Sequence, residues 1–229
     1  MVDLSFQIEG VDVPAHAAAP MLMFRVRVSE PAATTAIQTI ALRCQVRIEP
    51  ARRRYSKAEQ PLLLDLFGEP HRYAQTLRSM LWAHTSAIVP PFVGSTTVEL
   101  PVPCTYDFNL AEAKYFNALE DGQVPLCLLF SGTIFYANDD GALQVAQIPW
   151  EKECDFRLPV ETWKRMMDRY YPNTAWLALR KDVFDRLCQF RTGTVSASWE
   201  QTIERLLDRA EPAEVASVGD VPKTEQVGP

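Results

Sequence analysis

The chain predicts an α+β fold: an antiparallel β-sheet or sandwich covered by C-terminal helices. Three observations carry that expectation. Apolar and polar residues alternate through segments between Phe6 and Ile48. A long apolar and aromatic run enters the turn Asn138-Asp139-Asp140-Gly141, and another strand-like segment leaves it. From Pro159 onward the apolar spacing changes to that of helices. Strands followed by helices are the pattern of the α+β class.

"FQIEGVDV" predicts an opening strand through Phe6, Ile8 and Val11, interrupted by Gly10. Leu22, Phe24, Val26 and Val28 then alternate with Met23, Arg25, Arg27 and Ser29, the pattern of a half-buried strand. Ile40, Leu42, Cys44, Val46 and Ile48 repeat it against Ala41, Arg43, Gln45, Arg47 and Glu49. Consecutive strands most simply pair antiparallel, which would set Arg25 and Arg27 beside Arg43 and Arg47 on one basic face.

From Ser56 the spacing shifts. "SKAEQPLLLDLFG" predicts a short helix or turn stopped by Gly68. In "EPHRYAQTLRSMLWAHTSAIVPP", Tyr73, Leu77, Met80, Leu81 and His84 share one helical face, predicting a helix closed by Pro90 and Pro91. Val98, Leu100, Val102 and Cys104 restore alternation, and Pro101 and Pro103 mark an edge strand. "NLAEAKYFNALEDG" predicts a helix or compact excursion, and the Asn138–Gly141 turn joins a hairpin. Three helices follow, with stripes at Val160, Trp163, Met167 and Tyr170, then Val183, Phe184, Leu187 and Cys188, then Trp199, Ile203, Leu206 and Leu207. Ser198 stands three before Gln201, a capping-box spacing. The expected organisation is a single α+β domain over residues 1–210 and a disordered acidic tail over 211–229.

Composition narrows function. At 47% hydrophobic and 10% aromatic, the 229 residues can fill a core, which excludes wholesale disorder. A net charge of -6 and a pI near 5.2 argue against sequence-independent nucleic-acid binding. No apolar run is long enough to cross a bilayer, and the first residues lack the features of a secretory signal. The five cysteines are odd in number and far apart, which fits reduced thiols in the cytoplasm.

Catalytic signatures do not emerge. His16, His71 and His84 share no ligand spacing with each other or with a cysteine, so no metal or cofactor is expected. "FSGT" lies within a strand and lacks a nucleophile elbow. Glu151, Glu153 and Asp155 alternate beside Lys152 and read as a solvated strand face, and the turn accounts for Asp139 and Asp140.

Two surfaces stand out as partner-binding candidates. Arg25, Arg27, Arg43 and Arg47 place arginine, and never lysine, at outward strand positions. Arginine offers a planar fork for carboxylates and stacks on aromatic rings. Such a row calls for an acidic answer, from a partner protein or from acidic segments of this chain. Tyr170, Tyr171 and Trp176 gather around Pro172 between two helices, either as core packing or as an interface anchor.

At "LCLLFSGTIFY", "QIPWEKE" and "WKRMMDRYYPNTAWLALRKDVFDRL" the sequence resembles an uncharacterised bacterial family found in actinobacteria and some proteobacteria. Members of that family are encoded in operons for uptake nickel–iron hydrogenases, beside maturation and electron-transfer genes. The resemblance covers nearly the whole chain except the tail. Its motifs are structural, so no catalytic residue is carried over. It implies an accessory role in making or assembling a hydrogenase, with a hydrogenase subunit or maturation factor as partner.

The expected function is therefore a non-enzymatic cytoplasmic accessory or protein-interaction domain. One alternative is a chaperone-like binder of extended polypeptide, which needs an apolar groove. Another is an enzyme or small-ligand binder, which needs His71 or His84 brought near Glu151, Glu153 or Asp155 in a pocket.

Overall fold

Where the sequence alternates, strands form, and they assemble into two antiparallel sheets. The structure, a computed structural model, describes residues 2–31, 35–105, 110–138, 140–174, 177 and 179–210. Backbone contacts divide the chain into units of residues 1–175 and 176–229. The expected single domain over 1–210 spans both units, and the expected disordered tail at 211–229 lies outside the described residues.

The first unit runs β1 (Ser5–Asp12), β2 (Met21–Ser29) and β3 (Ile37–Ile48), then the short helices α1 (Glu59–Leu62), α2 (Leu64–Phe67) and α3 (Tyr73–Thr76). It continues with β4 (Met80–Val89), β5 (Ser95–Pro103), α4 (Leu110–Ala118), β6 (Gln123–Ala137), β7 (Leu143–Gln147), β8 (Glu153–Pro159) and α5 (Val160–Tyr170). One sheet has three strands in the order β1-β2-β5. The other has five: β4-β3-β6-β7, with β8 also on β6. The class is as expected, antiparallel sheets with helices toward the C-terminus.

The apolar sides of the two sheets meet in one core. Leu22, Phe24, Val26 and Val28 of β2 are buried, as are Ile40, Leu42, Cys44, Val46 and Ile48 of β3. Each such aliphatic or aromatic side chain contributes about 1.5–3 kcal/mol by leaving water. Phe6 of β1 stacks on Phe130 of β6 at 4.3 Å between ring centres, and Phe24 of β2 meets Phe156 of β8 edge-on at 5.8 Å. Helices α4 and α5 close part of the core: Phe116 stacks on Trp163 at 4.9 Å and meets Trp82 of β4 at 5.2 Å. On α5 the buried stripe is Val160, Trp163, Met166 and Met167. Glycine is required in β6. Gly132 holds φ +139°, and a Cβ there would run into the Ala41 carbonyl of β3.

Two expectations are corrected. First, β2 and β3 do not pair: β2 lies between β1 and β5, and β3 lies between β4 and β6. The link between β2 and β3 crosses from one sheet to the other. It does so beside the link between β4 and β5, with Glu30 N–H bonding Gly94 O at 2.7 Å and Ile37 bonding Phe92. The crossover gives each apolar strand face an opposing sheet to bury against. It also avoids four neighbouring guanidinium groups, a repulsive arrangement.

Second, the helix expected through residues 69–89 is a single turn, Tyr73–Thr76, followed by β4. Met80, Leu81 and His84 mimic helical spacing because the register with β3 shifts there: Val46 faces Ala83, while Arg47 faces Leu81. The bulge turns Trp82 inward and leaves Leu81 and His84 exposed.

The second unit contains α6 (Lys181–Thr194) and α7 (Trp199–Ala210). Gln201 N–H donates to Ser198 Oγ at 3.2 Å, as the capping spacing predicts. The Arg191 guanidinium lies 4.5 Å from the Trp199 ring centre, and Phe184 lies 5.6 Å from that ring. Leu177, Leu179, Phe184, Leu187, Trp199 and Ile203 line an apolar depression of about 220 Å³. Among the described residues, no helix is long and apolar enough to cross a membrane.

Candidate functional site

The outward residues of the five-stranded sheet form a grid set by strand register. Across β4, β3, β6 and the strands beyond, one row reads Ile88, Ala41, Thr133, Gln147. The next reads Ser86, Arg43, Ser131; then His84, Gln45, Leu129, Glu153; then Leu81, Arg47, Cys127, Asp155. Ile148 N–H bonds Gly132 O, and Phe130 N–H bonds Lys152 O. Those bonds bring the link that carries Trp150 alongside Ser131, at the end of the Arg43 row. Trp150 is 88% exposed. With Arg43, Gln45, His84, Ser86 and Ser131 it lines an open depression of about 600 Å³.

The four outward arginines have different fates. Arg25 pairs with Asp12 and stands opposite Glu99; Arg27 reaches Glu9 at 3.5 Å and Ser95 at 3.3 Å. Thr97 also donates to Glu9, at 3.2 Å. The arginines of the three-stranded sheet are thus answered by their own neighbours. On the other sheet, Arg43 is exposed between Ser86 and Ser131, with no ion pair among the described residues. Arg47 is half-buried, and its Nε is buried without an acceptor among the described residues. Acids toward the Arg47 end of that face are engaged: Glu49, two residues beyond Arg47, accepts from Ser79 Oγ at 2.7 Å, Asp155 holds Arg52 at 2.7 Å, and Glu153 accepts from Cys127 Sγ at 3.7 Å.

This arrangement suits binding better than bond chemistry. His84 and Glu153 share a row, but Gln45 and Leu129 stand between them, so about 14 Å of sheet separates the two. Proton transfer needs hydrogen-bond reach. The thiols of the first unit are held in the protonated form. Burial pushes Cys44 far up, Cys104 and Cys154 up to about 12 and Cys127 up to about 11, with neighbouring acids adding to the last two. A protonated thiol is a poor nucleophile and metal ligand. Among the described residues, no group of three His, Cys, Asp or Glu side chains is placed to hold a metal. Guanidinium, amide, imidazole and hydroxyl groups around an exposed indole can instead hold a polar, partly apolar ligand.

The other sequence candidates serve the fold or lie outside the description. Tyr170 donates its hydroxyl to Ala17 O at 2.8 Å and, with Tyr171, packs against the core. Arg169 bonds Ala15 O, so the end of α5 is tied to the segment between β1 and β2. Trp176 is outside the described residues. Sequence reasoning missed Trp150, His84, Ser86 and Ile88 as members of one face. The signal for Trp150 was its place between two strand-like segments after Pro149, where a turn exposes its side chain.

A family model described as a family of unknown function, DUF6084, matches residues 1–215. The chain belongs to DUF6084. No match is found among curated proteins. Among solved structures, this DUF6084 chain is similar to an ApaA protein from Bordetella pertussis, at 10% identity and a TM-score of 0.26, over 69% of this chain and 95% of that one. It is also similar to a late embryogenesis abundant protein, at 14% identity and a TM-score of 0.29, over 68% and 71% of the two chains. A third likeness is to β-glucosidase 3B from Thermotoga neapolitana, at 12% identity and a TM-score of 0.24, over 68% and 17%.

Proposed function

We propose that this DUF6084 chain is a non-enzymatic accessory protein that binds another protein through the outer face of its five-stranded sheet. The observation that carries the reading is Trp150, presented to solvent beside Arg43, an arginine with no ion pair among the described residues. Tryptophan and arginine are the residues most enriched where binding energy concentrates, because each covers a large area and still makes directed polar contacts. The distance between His84 and Glu153 and the protonated thiols weigh against an enzyme on the same face. A chaperone-like holder of extended chains would draw on the apolar depression of the second unit, whose volume of about 220 Å³ falls below the usual range of ligand pockets.

Five free cysteines fit a reducing compartment such as the cytoplasm. The resemblance to proteins of hydrogenase operons supplies the candidate partner, a nickel–iron hydrogenase subunit or maturation factor. Affinity-tagged protein, expressed in its host and analysed by mass spectrometry, tests both points. Recovery of such a partner with the unaltered chain, and its loss with Trp150→Ala combined with Arg43→Ser, supports the reading. Equal recovery with the variant overturns the sheet face as the binding surface.

A further inference from the structure

Resting on the protein-binding reading above, the chemistry of the same face specifies what kind of segment fits it. Arg43 and Arg47 project outward from β3 four residues apart, a separation of about 13 Å along the strand. Covering guanidinium groups without supplying acceptors is costly, so an occupant of this face must bring acids. Arg47 already has a buried donor, Nε, with no acceptor among the described residues.

The surroundings add shape to that requirement. Beyond Arg43 the face becomes apolar. Ile88, 70% exposed, flanks Ala41, and the next row carries Thr39, Phe135 and the exposed Val145. Trp150 stands at the side of the Arg43 row. The neighbours nearest Arg43, namely Ser86, Ser131 and Gln45, are neutral hydrogen-bonding groups that neither repel nor neutralise a carboxylate.

We infer that this face receives an extended acidic peptide from its partner, with carboxylates on Arg43 and Arg47 and apolar side chains over the Ala41 and Thr39 rows. An extended chain turns every second side chain to the same side, about 6.7 Å apart. Acids at positions i and i+4 therefore match the two arginines, and apolar residues two and four positions beyond the first acid reach Ile88, Phe135 and Val145. Guanidinium forks take carboxylates in paired hydrogen bonds, which fixes the register of the peptide on the strand. The Trp150 indole walls the side of the Arg43 row and shields the bonds made there from water.

The test uses the full chain and fluorescein-labelled peptides read by anisotropy. The probe is Val-Thr-Val-Thr-Glu-Thr-Thr-Thr-Glu, together with its reversed sequence. Controls carry lysine in place of glutamate, or place the second glutamate at i+3 so that the acids face opposite ways. Binding of the glutamate probe in either direction is expected, weakening steeply between about 50 and 500 mM salt. Arg43→Ser and Trp150→Ala should each weaken it about tenfold. Arg43 and Trp150 are exposed, so these variants keep the fold, and thermal unfolding verifies it. Equal binding of the glutamate and lysine probes, no binding of either glutamate probe, or indifference to Arg43→Ser overturns the inference. Displacement of the glutamate probe by a neutral glycan or by a second copy of the chain does the same. If the peptides fail while Trp150→Ala still loses the native partner, only the acidic-peptide assignment falls. If the peptides bind as expected while the native partner ignores Trp150→Ala, it is the partner reading that falls.

Discussion

Arg53 grips Glu59 through two hydrogen bonds, 3.0 and 2.8 Å long, with the two side chains only 9% and 3% exposed. Glu59 also accepts from Ser56 N–H at 2.9 Å and Glu120 N–H at 3.0 Å, while Arg53 donates to Asp121 O at 2.6 Å. This knot ties the segment after β3 to the approach to β6. Glu59→Ala strips a buried guanidinium of its carboxylate, leaves two N–H groups without that acceptor, and should destabilise the protein by about 3–5 kcal/mol. Urea unfolding measures the loss; a change under about 1 kcal/mol would show that water replaces the carboxylate.

The same carboxylate makes stability depend on acid. Burial works to raise the Glu59 pKa, but the Arg53 and backbone hydrogen bonds outweigh it and hold the value below the ordinary 4.5. A folded-state pKa below the unfolded one contributes stability that is complete above the unfolded value and is lost as pH falls through the folded one. Urea midpoints should therefore drop below pH 4.5 more steeply in the natural protein than in Glu59→Ala. Parallel curves would refute this assignment.

Gly132 offers a purely steric test. Its φ of +139° and the Ala41 carbonyl against its Cα leave no room for a side chain. Gly132→Ala should cost about 2–3 kcal/mol, since β3 and β6 must part or the backbone must strain. A stability equal to that of the natural protein would mean that the strands can separate freely.

Thiol titration reports on the core. At pH 8, Cys44, Cys104, Cys127 and Cys154 should resist a water-soluble disulfide reagent for minutes, because burial holds each well above its ordinary pKa. All five should react at once in denaturant. Fast modification of Cys127 in the native protein, mapped by mass spectrometry, would contradict the packing at β6.

Trp150 separates binding from folding. At 88% exposure its truncation should move folding stability by no more than about 0.5 kcal/mol while removing partner binding. A large loss of stability would instead make it a structural residue.

Much of this architecture was legible along the chain. Alternation marked β2, β3 and β5, the two prolines placed β5 at an edge, and the Asn138–Gly141 turn marked the end of β6. The parity of Arg25, Arg27, Arg43 and Arg47 was equally readable, because consecutive side chains on a strand point to opposite faces by covalent geometry. β4 was obscured by the bulge at Trp82, which gives a strand the apolar spacing of a helix. Trp150 carried no periodic signal at all.

By itself, then, the sequence determined the extended segments that alternate cleanly, β4 excepted, and which side of each is wet. Only the tertiary structure decided that β2 and β3 belong to different sheets, so that Arg25 and Arg27 meet Asp12 and Glu9 while Arg43 faces solvent beside Trp150 and Arg47 is half-buried. The physical reason is a difference in range. Face parity is set between bonded neighbours, whereas strand partnership depends on satisfying backbone hydrogen bonds and burying apolar surface across the whole unit, which no local pattern encodes.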